Sequence, residues 1–354
     1  MTLIYFVLLL SVIVIIHEFG HLLAAKAFNV YCQEFSVGMG PEIYRHKGKE
    51  TDFVLRLLPL GGFVAMAGDN DNALETDVDE TDIPFERTLK GISPIKRIIV
   101  MLAGVFNNFL LGLLIISMIL LANGSYQKAP EPRIASVAID SPAEIAGFKE
   151  NDLITKVTYK GTDIKPKDFS EMSLFIASYD GDGELVFTVE RDGSVIDLTV
   201  KPQYKQEENR YLIGITAVDG EIIKINFFNS FYYGFLYCIS LLKSIFISLI
   251  QLLHGIGLDN LSGPVGIYQA TGEAASYGLI SYLVMMAVIS LNIGLMNLLP
   301  LPILDGGRVL LTLIEMIIGH PLDKKFEEAL MTASLILMLF LFIFITYRDI
   351  LRIF

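Results

Sequence analysis

The sequence predicts an α-helical membrane protein that crosses the bilayer about four times and carries one soluble domain inserted between its spans. Hydrophobic residues make up 53% of the 354 positions and charged residues only 19%, a composition too apolar for a soluble enzyme of this length. Four apolar runs also reach or approach the roughly 20 residues that a helix needs to cross a hydrocarbon core. These runs are residues 3–28, 98–122, 277–299 and 329–346.

The first run is expected to remain in the mature protein as a span. A secretory signal peptide would begin with basic residues and end at a small-residue cleavage site, and this run has neither. The formal net charge of −12 argues against a nucleic-acid partner, because phosphate binding requires clustered lysine and arginine. Two cysteines are too few for a disulfide framework or a thiolate metal cluster.

Lysine and arginine are enriched in the loops that stay in the cytoplasm. Basic residues flank the segment between the first two runs at both ends: Lys26, Arg45, Lys47, Lys49, Arg87, Lys90, Lys96 and Arg97. This segment is therefore predicted to be cytoplasmic. The N-terminus and the long polar segment from about residue 124 to 224 are then outside.

The outer segment reads as a small α/β domain. Short β-type runs at residues 134–139, 153–159, 185–190 and 195–200 alternate with Lys-Gly and Asp-Gly turn dipeptides. A helix-like stretch begins with the capping box Ser141-Pro-Ala-Glu144. Residues 141–154 resemble a PDZ domain of the bacterial protease type, although Asn151 stands where that pattern usually has glycine. The resemblance implies a domain that binds peptide ends or extended strands at a sheet edge.

The first apolar run contains His17-Glu18-Phe19-Gly20-His21, an H-E-x-x-H motif. Residues i and i+4 share one face of a helix, so both imidazoles can reach one ion. Glu18 lies beside them, where it can take a proton from metal-bound water. Ionisable residues inside a membrane span are costly unless they pair or bind something, which favours a functional zinc site over a chance match.

A catalytic zinc normally takes three protein ligands and keeps a fourth position open. The remaining histidines lie in polar stretches and are predicted to be solvated: His46, His254 and His320. Asp305 is the better candidate, because it directly follows the run that ends at residue 299. Pro300 and Pro302 break the helix there and allow the aspartate to turn inward.

Together these features resemble the site-2 protease family of intramembrane zinc metalloproteases, in the bacterial form with one PDZ domain. The matching elements are H-E-x-x-H in the first span, N-x-x-P-x-P-x-L-D-G beginning at Asn297, and the PDZ-like segment between them. The resemblance covers nearly the whole chain. It implies that His17, His21 and Asp305 bind Zn²⁺ and that Glu18 is the catalytic base.

The resemblance also implies substrate contacts. The family's substrate-contacting asparagine falls on Asn297, and its A-G-P-x-x-N-F element appears at residues 103–109, with Val105 replacing the proline and Asn108 retained. A helix-packing role for Asn108 stays open. Residues 35–67 resemble the family's membrane-dipping β-hairpin, whose free edge could hold an unwound substrate as an added strand; an ordinary surface hairpin is the alternative. The hairpin residues assigned to substrate binding are Gly38, Gly40, Gly61 and Gly62.

Four regions are predicted. Residues 1–123 hold two spans with the cytoplasmic loop and the re-entrant hairpin, 124–206 the PDZ-like domain, 207–276 a connecting segment with an interfacial helix, and 277–354 the last two spans with the L-D-G motif. A fifth apolar run, residues 231–253, is expected to lie along the outer interface or to re-enter. Otherwise the halves of the metal site would lie on opposite sides, and Lys243 would sit at mid-membrane.

The expected activity is hydrolysis of transmembrane segments of membrane proteins in a bacterial cell membrane. The metal site would lie toward the cytoplasmic half and the PDZ-like domain outside. By resemblance, the substrates are single-span proteins already trimmed outside, such as anti-sigma factors, or remnant signal peptides. A membrane metal transporter and a non-catalytic PDZ scaffold are the alternatives. Transport should tolerate Glu18→Gln, whereas hydrolysis should not, and an intact set of ligands plus base argues against the scaffold.

Overall fold

The computed structural model describes residues 1–69, 83–177, 179–205, 210–253 and 262–353. The helices are α1 (Thr2–Ala27), α2 (Pro94–Asn123), α3 (Pro142–Ile145), α4 (Phe169–Ala177), α5 (Phe227–Leu253), α6 (Pro264–Ser276), α7 (Leu279–Asn297), α8 (Asp305–Ile318) and α9 (Lys324–Ile353). The strands are β1 (Cys32–His46), β2 (Asp52–Met66), β3 (Ser125–Gln127), β4 (Ile134–Val137), β5 (Leu153–Tyr159), β6 (Thr162–Ile164), β7 (Leu185–Arg191), β8 (Ser194–Val200), β9 (Gln203–Lys205), β10 (Arg210–Leu212), β11 (Ile215–Ala217) and β12 (Ile222–Lys224).

The chain forms two compact units. The first, the helical unit, contains Met1–Ile119, Gly234–Leu242 and Asn260–Phe354, and the second, the strand-rich unit, contains Leu120–Tyr233 and Lys243–Asp259. Within the described ranges, five helices are long and apolar enough to cross a membrane: Thr2–Ala27, Pro94–Asn123, Phe227–Ile250, Leu279–Asn297 and Lys324–Leu351. Four of them correspond to the predicted runs, which are confirmed as long apolar helices. The other contains most of the ambiguous run 231–253.

The direction of the helices around the site follows from their contacts. The hydroxyl of Tyr282 donates to the carbonyl of Tyr5 at 2.9 Å, and the amide of Asn297 lies 3.5 Å from His17 Nε2. The earlier residue of α7 contacts the earlier residue of α1, and the later contacts the later, so the two helices run parallel. On α2 the order is reversed, because Val100 contacts His21 and Asn108 contacts His17. The parallel course of α1 and α7 is the arrangement that the predicted site requires.

Helix α6 lies beside the first turns of α1. The rings of Tyr268 and Phe6 are 5.7 Å apart, and a Cβ on Gly272 would lie 2.6 Å from Thr2 Cγ2. Its 13 residues extend only about 20 Å, too short to cross a bilayer. The N-terminus of α6 is capped from a distant helix, since Asp349 Oδ2 on α9 accepts from Gly266 N at 2.8 Å.

Strands β1 and β2 form the predicted hairpin, and one stretch of β1 pairs with two separate stretches of β2. Residues 34–37 of β1 pair with residues 62–65 of β2 and also with residues 52–55. Glu34 is buried among these strands and joins two arginines, Arg45 at 2.9 Å and Arg56 at 2.7 Å. Among the described residues, no strand pairs with the second side of residues 62–65, which therefore form an edge of the sheet.

The strand-rich unit is built on a four-stranded sheet of order β6-β5-β7-β8. The buried side chains of its core include Phe187, Leu185 and Ile154. The four predicted β-type runs all form strands, and Ser141 caps α3 by accepting from Glu144 N at 3.2 Å. Beyond the predicted boundary at residue 206, β11 pairs antiparallel with β4.

A buried ion pair fixes one end of this sheet. Asp152 has no exposed surface and accepts from Arg191 Nε at 2.6 Å and Nη2 at 2.7 Å, and also from Lys149 N at 2.9 Å. Burial by itself raises the pKa of the Asp152 carboxyl. The arginine and the backbone donor outweigh burial and hold that pKa below its usual value.

Candidate metal centre

The two histidines of α1 point into the helical unit. His17 and His21 are one turn apart, 8% and 7% exposed, and their Nε2 atoms are 3.2 Å apart. The i, i+4 spacing thus brings two nitrogen donors to one point, as the motif predicts. A third donor must come from another element.

Asp305 supplies that donor from the first residue of α8. The two glycines that follow allow this placement, because the first turn of α8 packs directly on the preceding backbone. A Cβ on Gly306 would lie 2.2 Å from the Leu298 carbonyl oxygen, and one on Gly307 would lie 2.1 Å from that of Leu301. Any side chain at either position would push α8 away and displace the carboxylate.

The three donor atoms fit a zinc ion. Asp305 Oδ2 lies 3.2 Å from His17 Nε2 and 3.5 Å from His21 Nε2. Tetrahedral zinc with bonds of about 2.0–2.1 Å separates its ligands by roughly 3.3–3.4 Å, close to these distances. Asp305 Oδ2 is buried without a hydrogen-bond partner among the described residues, which a bound cation would satisfy. Among the described residues, this is the only group of three or more His, Cys, Asp or Glu side chains whose donor atoms lie close enough together to hold one metal ion.

The tautomer of His21 suits metal binding. Its Nδ1 lies 2.8 Å from the Val100 carbonyl, which can only accept, so Nδ1 carries the proton. The lone pair of Nε2 is then free for the ion. Metal-binding histidines typically donate their second ring nitrogen in this way.

Helix α2 reaches the histidines through a glycine that the sequence analysis did not single out as part of the site. A Cβ on Gly104 would lie 2.4 Å from His21 Nε2 and 2.8 Å from His17 Cε1. Similarly, a Cβ on Gly20 would lie 2.3 Å from the Ala103 carbonyl oxygen. The crossing of α1 and α2 therefore depends on glycine on both helices at the level of the metal ligands. The only sequence signal was the small-residue pair within residues 103–109.

A cavity of about 590 Å³ opens on this cluster. Glu18 lines it beside the three proposed ligands, between α1 and the edge of the β-sheet. A Cβ on Gly62 would lie 3.6 Å from Glu18 Cγ, so the strand passes directly over the carboxylate. The cavity thus brings a potential base, three metal donors and a strand edge together.

The proposed substrate residues occupy different places. Asn297, Gly61 and Gly62 line the cavity. Gly38 and Gly40 are not among its described lining residues, and both have positive φ, +88° and +82°, in the neighbouring strand. Asn108 has no exposed surface and contacts the rear nitrogen of His17. Of the three histidines predicted to be solvated, His46 and His320 are exposed, and His254 lies outside the described residues.

One ion pair that lines the cavity, between Arg308 and Asp69, was not predicted from the sequence. Arg308 lies one turn after Asp305 and donates to both carboxylate oxygens of Asp69, at 3.1 and 3.2 Å. The pair stands where the cavity meets a second one of about 290 Å³, whose lining includes Arg97 and Glu315. The position of Arg308 at i+3 from Asp305 was a usable signal, whereas nothing in the sequence links Asp69 to it.

Apolar helices of membrane-spanning length, three side-chain donors that fit a zinc ion and an adjacent carboxylate are the features expected of a membrane zinc hydrolase. Comparison of the sequence with known families identifies the family. A model of peptidase family M50 matches residues 5–341, and the chain belongs to that family. Similar proteins carry protease names. A Clostridium perfringens protein with a provisional zinc-metalloprotease name is 34% identical, and the alignment covers 99% of this chain and 98% of the relative.

Two further relatives are 28% identical along all of this chain and 99% of their own length. They are the probable protease eep of Enterococcus faecalis and the regulator of sigma-W protease RasP of Bacillus subtilis. The family match and these relatives identify this protein as a zinc metalloprotease.

Proposed function

We propose that this metalloprotease cuts membrane proteins within their transmembrane segments, using His17, His21 and Asp305 to hold Zn²⁺. The observation that carries this proposal is the convergence of the three donor atoms within 3.2–3.5 Å among membrane-type helices. A soluble substrate would not require a site at this depth. A segment of a membrane protein reaches it laterally, from the lipid.

The chemistry is divided between the metal ion and two residues of the cavity. When bound, zinc polarises the scissile carbonyl and lowers the pKa of its water toward about 7. Glu18 accepts a proton from the attacking water and passes it to the amine nitrogen that leaves. The Asn297 amide, 3.5 Å from His17 Nε2, is near enough to the metal donors to hydrogen-bond the substrate carbonyl oxygen.

A transmembrane helix hides its peptide bonds, so the enzyme has to hold an extended segment. Residues 62–64 of this sheet edge line the wall of the cavity. We expect the substrate to add there as a strand, with Gly61 and Gly62 allowing close approach. Met39, Leu57 and Leu58 are more than half exposed on the same hairpin, which is consistent with contact with lipid.

The helix directions support the proposed topology. Because α1 and α7 run parallel and α2 runs opposite to both, the chain between α2 and α7 crosses the bilayer an even number of times. Helix α6 is too short to cross the bilayer. If α5 crossed, it would be a single crossing, which is an odd number, so α5 does not cross. Lys243 of α5 also pairs with Glu171 of α4 at 3.0 Å, which keeps that part of α5 beside the strand-rich unit. We infer that α5 lies at the outer interface, that the strand-rich unit is outside, and that the metal site faces the cytoplasmic half of a bacterial cell membrane.

The substrates we expect are single-span membrane proteins whose outer part has been removed, such as anti-sigma factors, or remnant signal peptides. The relative in Bacillus subtilis is named for regulation of sigma-W, which favours the first class. The strand-rich unit, as a PDZ-like domain, would contact peptide ends or extended strands and admit trimmed substrates only.

Replacing the base tests the proposal. Tagged single-span proteins co-expressed with the wild type should be cut, and with Glu18→Gln they should accumulate uncut while the purified variant retains zinc. Asp305→Asn should lose both cleavage and zinc. A Glu18→Gln variant that still cuts would contradict the proposed role of Glu18. Transport of zinc across the membrane that survives this substitution would instead favour a transporter.

A further inference from the structure

Asn108 lies behind the proposed metal centre, away from the cavity. It has no exposed surface and does not belong to the cavity lining, and its backbone carbonyl accepts from Ser290 at 2.9 Å. The side chain instead meets the rear nitrogen of a metal ligand, since Asn108 Nδ2 lies 3.2 Å from His17 Nδ1.

This contact conflicts with metal binding in its present amide orientation. An amide nitrogen only donates, so His17 Nδ1 would have to accept and Nε2 would carry the proton. That proton would point at His21 Nε2 and Asp305 Oδ2, 3.2 Å away in each case, where the zinc must bind. His17 could not then be a ligand.

A second observation indicates that the Asn108 amide has the opposite orientation. Asn108 Oδ1 is buried with no hydrogen-bond partner among the described residues. Oxygen and nitrogen of an amide are assigned by their partners, and exchanging them brings Oδ1 to His17 Nδ1. The oxygen then accepts from Nδ1–H, and Nε2 has its lone pair free. One exchange resolves both the unpaired oxygen and the tautomer.

We infer that Asn108 is a positioning residue that accepts a hydrogen bond from His17 Nδ1–H and so holds the imidazole in the zinc-binding tautomer. Helix α2 then serves both histidines, with the Val100 carbonyl behind His21 and the Asn108 side chain two turns later behind His17. This role rests on the proposed zinc site and adds to it. Partners of this type typically contribute 10–100-fold to metal affinity.

The test compares three variants of the full-length purified protein, with zinc content and zinc affinity against a competing chelator as readouts. Asn108→Leu keeps the size of the side chain but removes the acceptor, and should bind zinc about 10–100-fold more weakly. Asn108→Asp retains an acceptor and has no donor, so it should hold zinc as the wild type does. Asn107→Leu is the matched control, because the Asn107 side chain donates to the Ile16 carbonyl at 3.0 Å and not, among the described hydrogen bonds, to a proposed ligand.

Zinc retained in Asn108→Asp and in Asn107→Leu, but weakened in Asn108→Leu, is the expected pattern. If Asn108→Asp loses zinc as Asn108→Leu does, an acceptor at position 108 does not support zinc binding and the inference is wrong. Equal loss in Asn107→Leu would attribute the effect to helix packing and overturn it as well. A wild-type protein without zinc would overturn the proposed site itself, which separates the two failures.

Discussion

At the scale of single residues, the metal centre depends as much on the helix behind it as on the ligands. Gly104 leaves room for the imidazoles of His17 and His21, and the Val100 carbonyl orients the second of them. Each of these residues constrains the position of an imidazole donor atom. Their substitution should therefore change metal binding before it changes the fold.

Gly104→Ala tests this directly. The new Cβ would lie 2.4 Å from His21 Nε2, so the ring has to move, and we expect the purified variant to lose zinc with a stability loss of about 1–3 kcal/mol. Gly112→Ala, two turns later, is the control, because its Cβ meets the Leu291 side chain at 2.8 Å. It should be destabilised in thermal unfolding yet retain zinc. Full zinc occupancy in Gly104→Ala would contradict the model of a tight helix crossing.

The ion pair between Asp152 and Arg191 predicts a pH dependence in the strand-rich unit. The pKa of Asp152 is below its unfolded value of about 3.9, so the pair stabilises the fold at higher pH and this contribution disappears as pH falls through the folded pKa. Asp152→Asn should lower stability by about 3 kcal/mol at pH 7.

The measurement is the unfolding temperature of the full chain as a function of pH. The difference between wild type and Asp152→Asn should shrink as pH falls below the unfolded pKa of about 3.9. Asp163→Asn, which removes a solvent-exposed partner of Lys156 at 3.7 Å, should have little effect at any pH. A gap for Asp152→Asn that does not change with pH would argue that packing, and not charge, stabilises this corner.

At the scale of elements, the sequence predicted what is local and missed what is contributed from afar. The apolar runs, the H-E-x-x-H face and the turn before Asp305 follow from residues a few positions apart. By contrast, the Arg308–Asp69 pair, the Gly104 contact and the Asp349 cap each join distant helices or loops. No periodicity or turn rule connects such residues, so only the packed structure reveals them.

The cap on α6 gives a prediction for one element. Asp349 is 3% exposed and accepts from Gly266 N, so Asp349→Ala leaves the first turn of α6 without this acceptor and should cost about 1 kcal/mol. Hydrogen exchange of the backbone amides of residues 265–268 should accelerate, measured by mass spectrometry on the full-length protein. Tyr347→Phe, on the exposed side of the same helix, is the control. Unchanged exchange in Asp349→Ala would mean that the carboxylate does not hold α6.

At the scale of the whole molecule, the parallel course of α1 and α7 determines which loops share a side. We expect Asp197→Cys and Tyr277→Cys to react with an impermeant thiol reagent from outside, and Lys47→Cys and His320→Cys only from inside. The native Cys32 and Cys238 are both buried and should give little background. Labelling of Asp197→Cys and Tyr277→Cys from opposite sides would show that α5 crosses the bilayer.

The origin of the metal donors has a consequence for biosynthesis. Two of the proposed donors lie on α1, and the third lies on α8, which is synthesised much later. A ribosome-bound chain that has inserted α1 but not yet α8 therefore has an incomplete set of proposed ligands. We expect such a nascent chain to be unable to cut neighbouring proteins, or itself, at the translocation site.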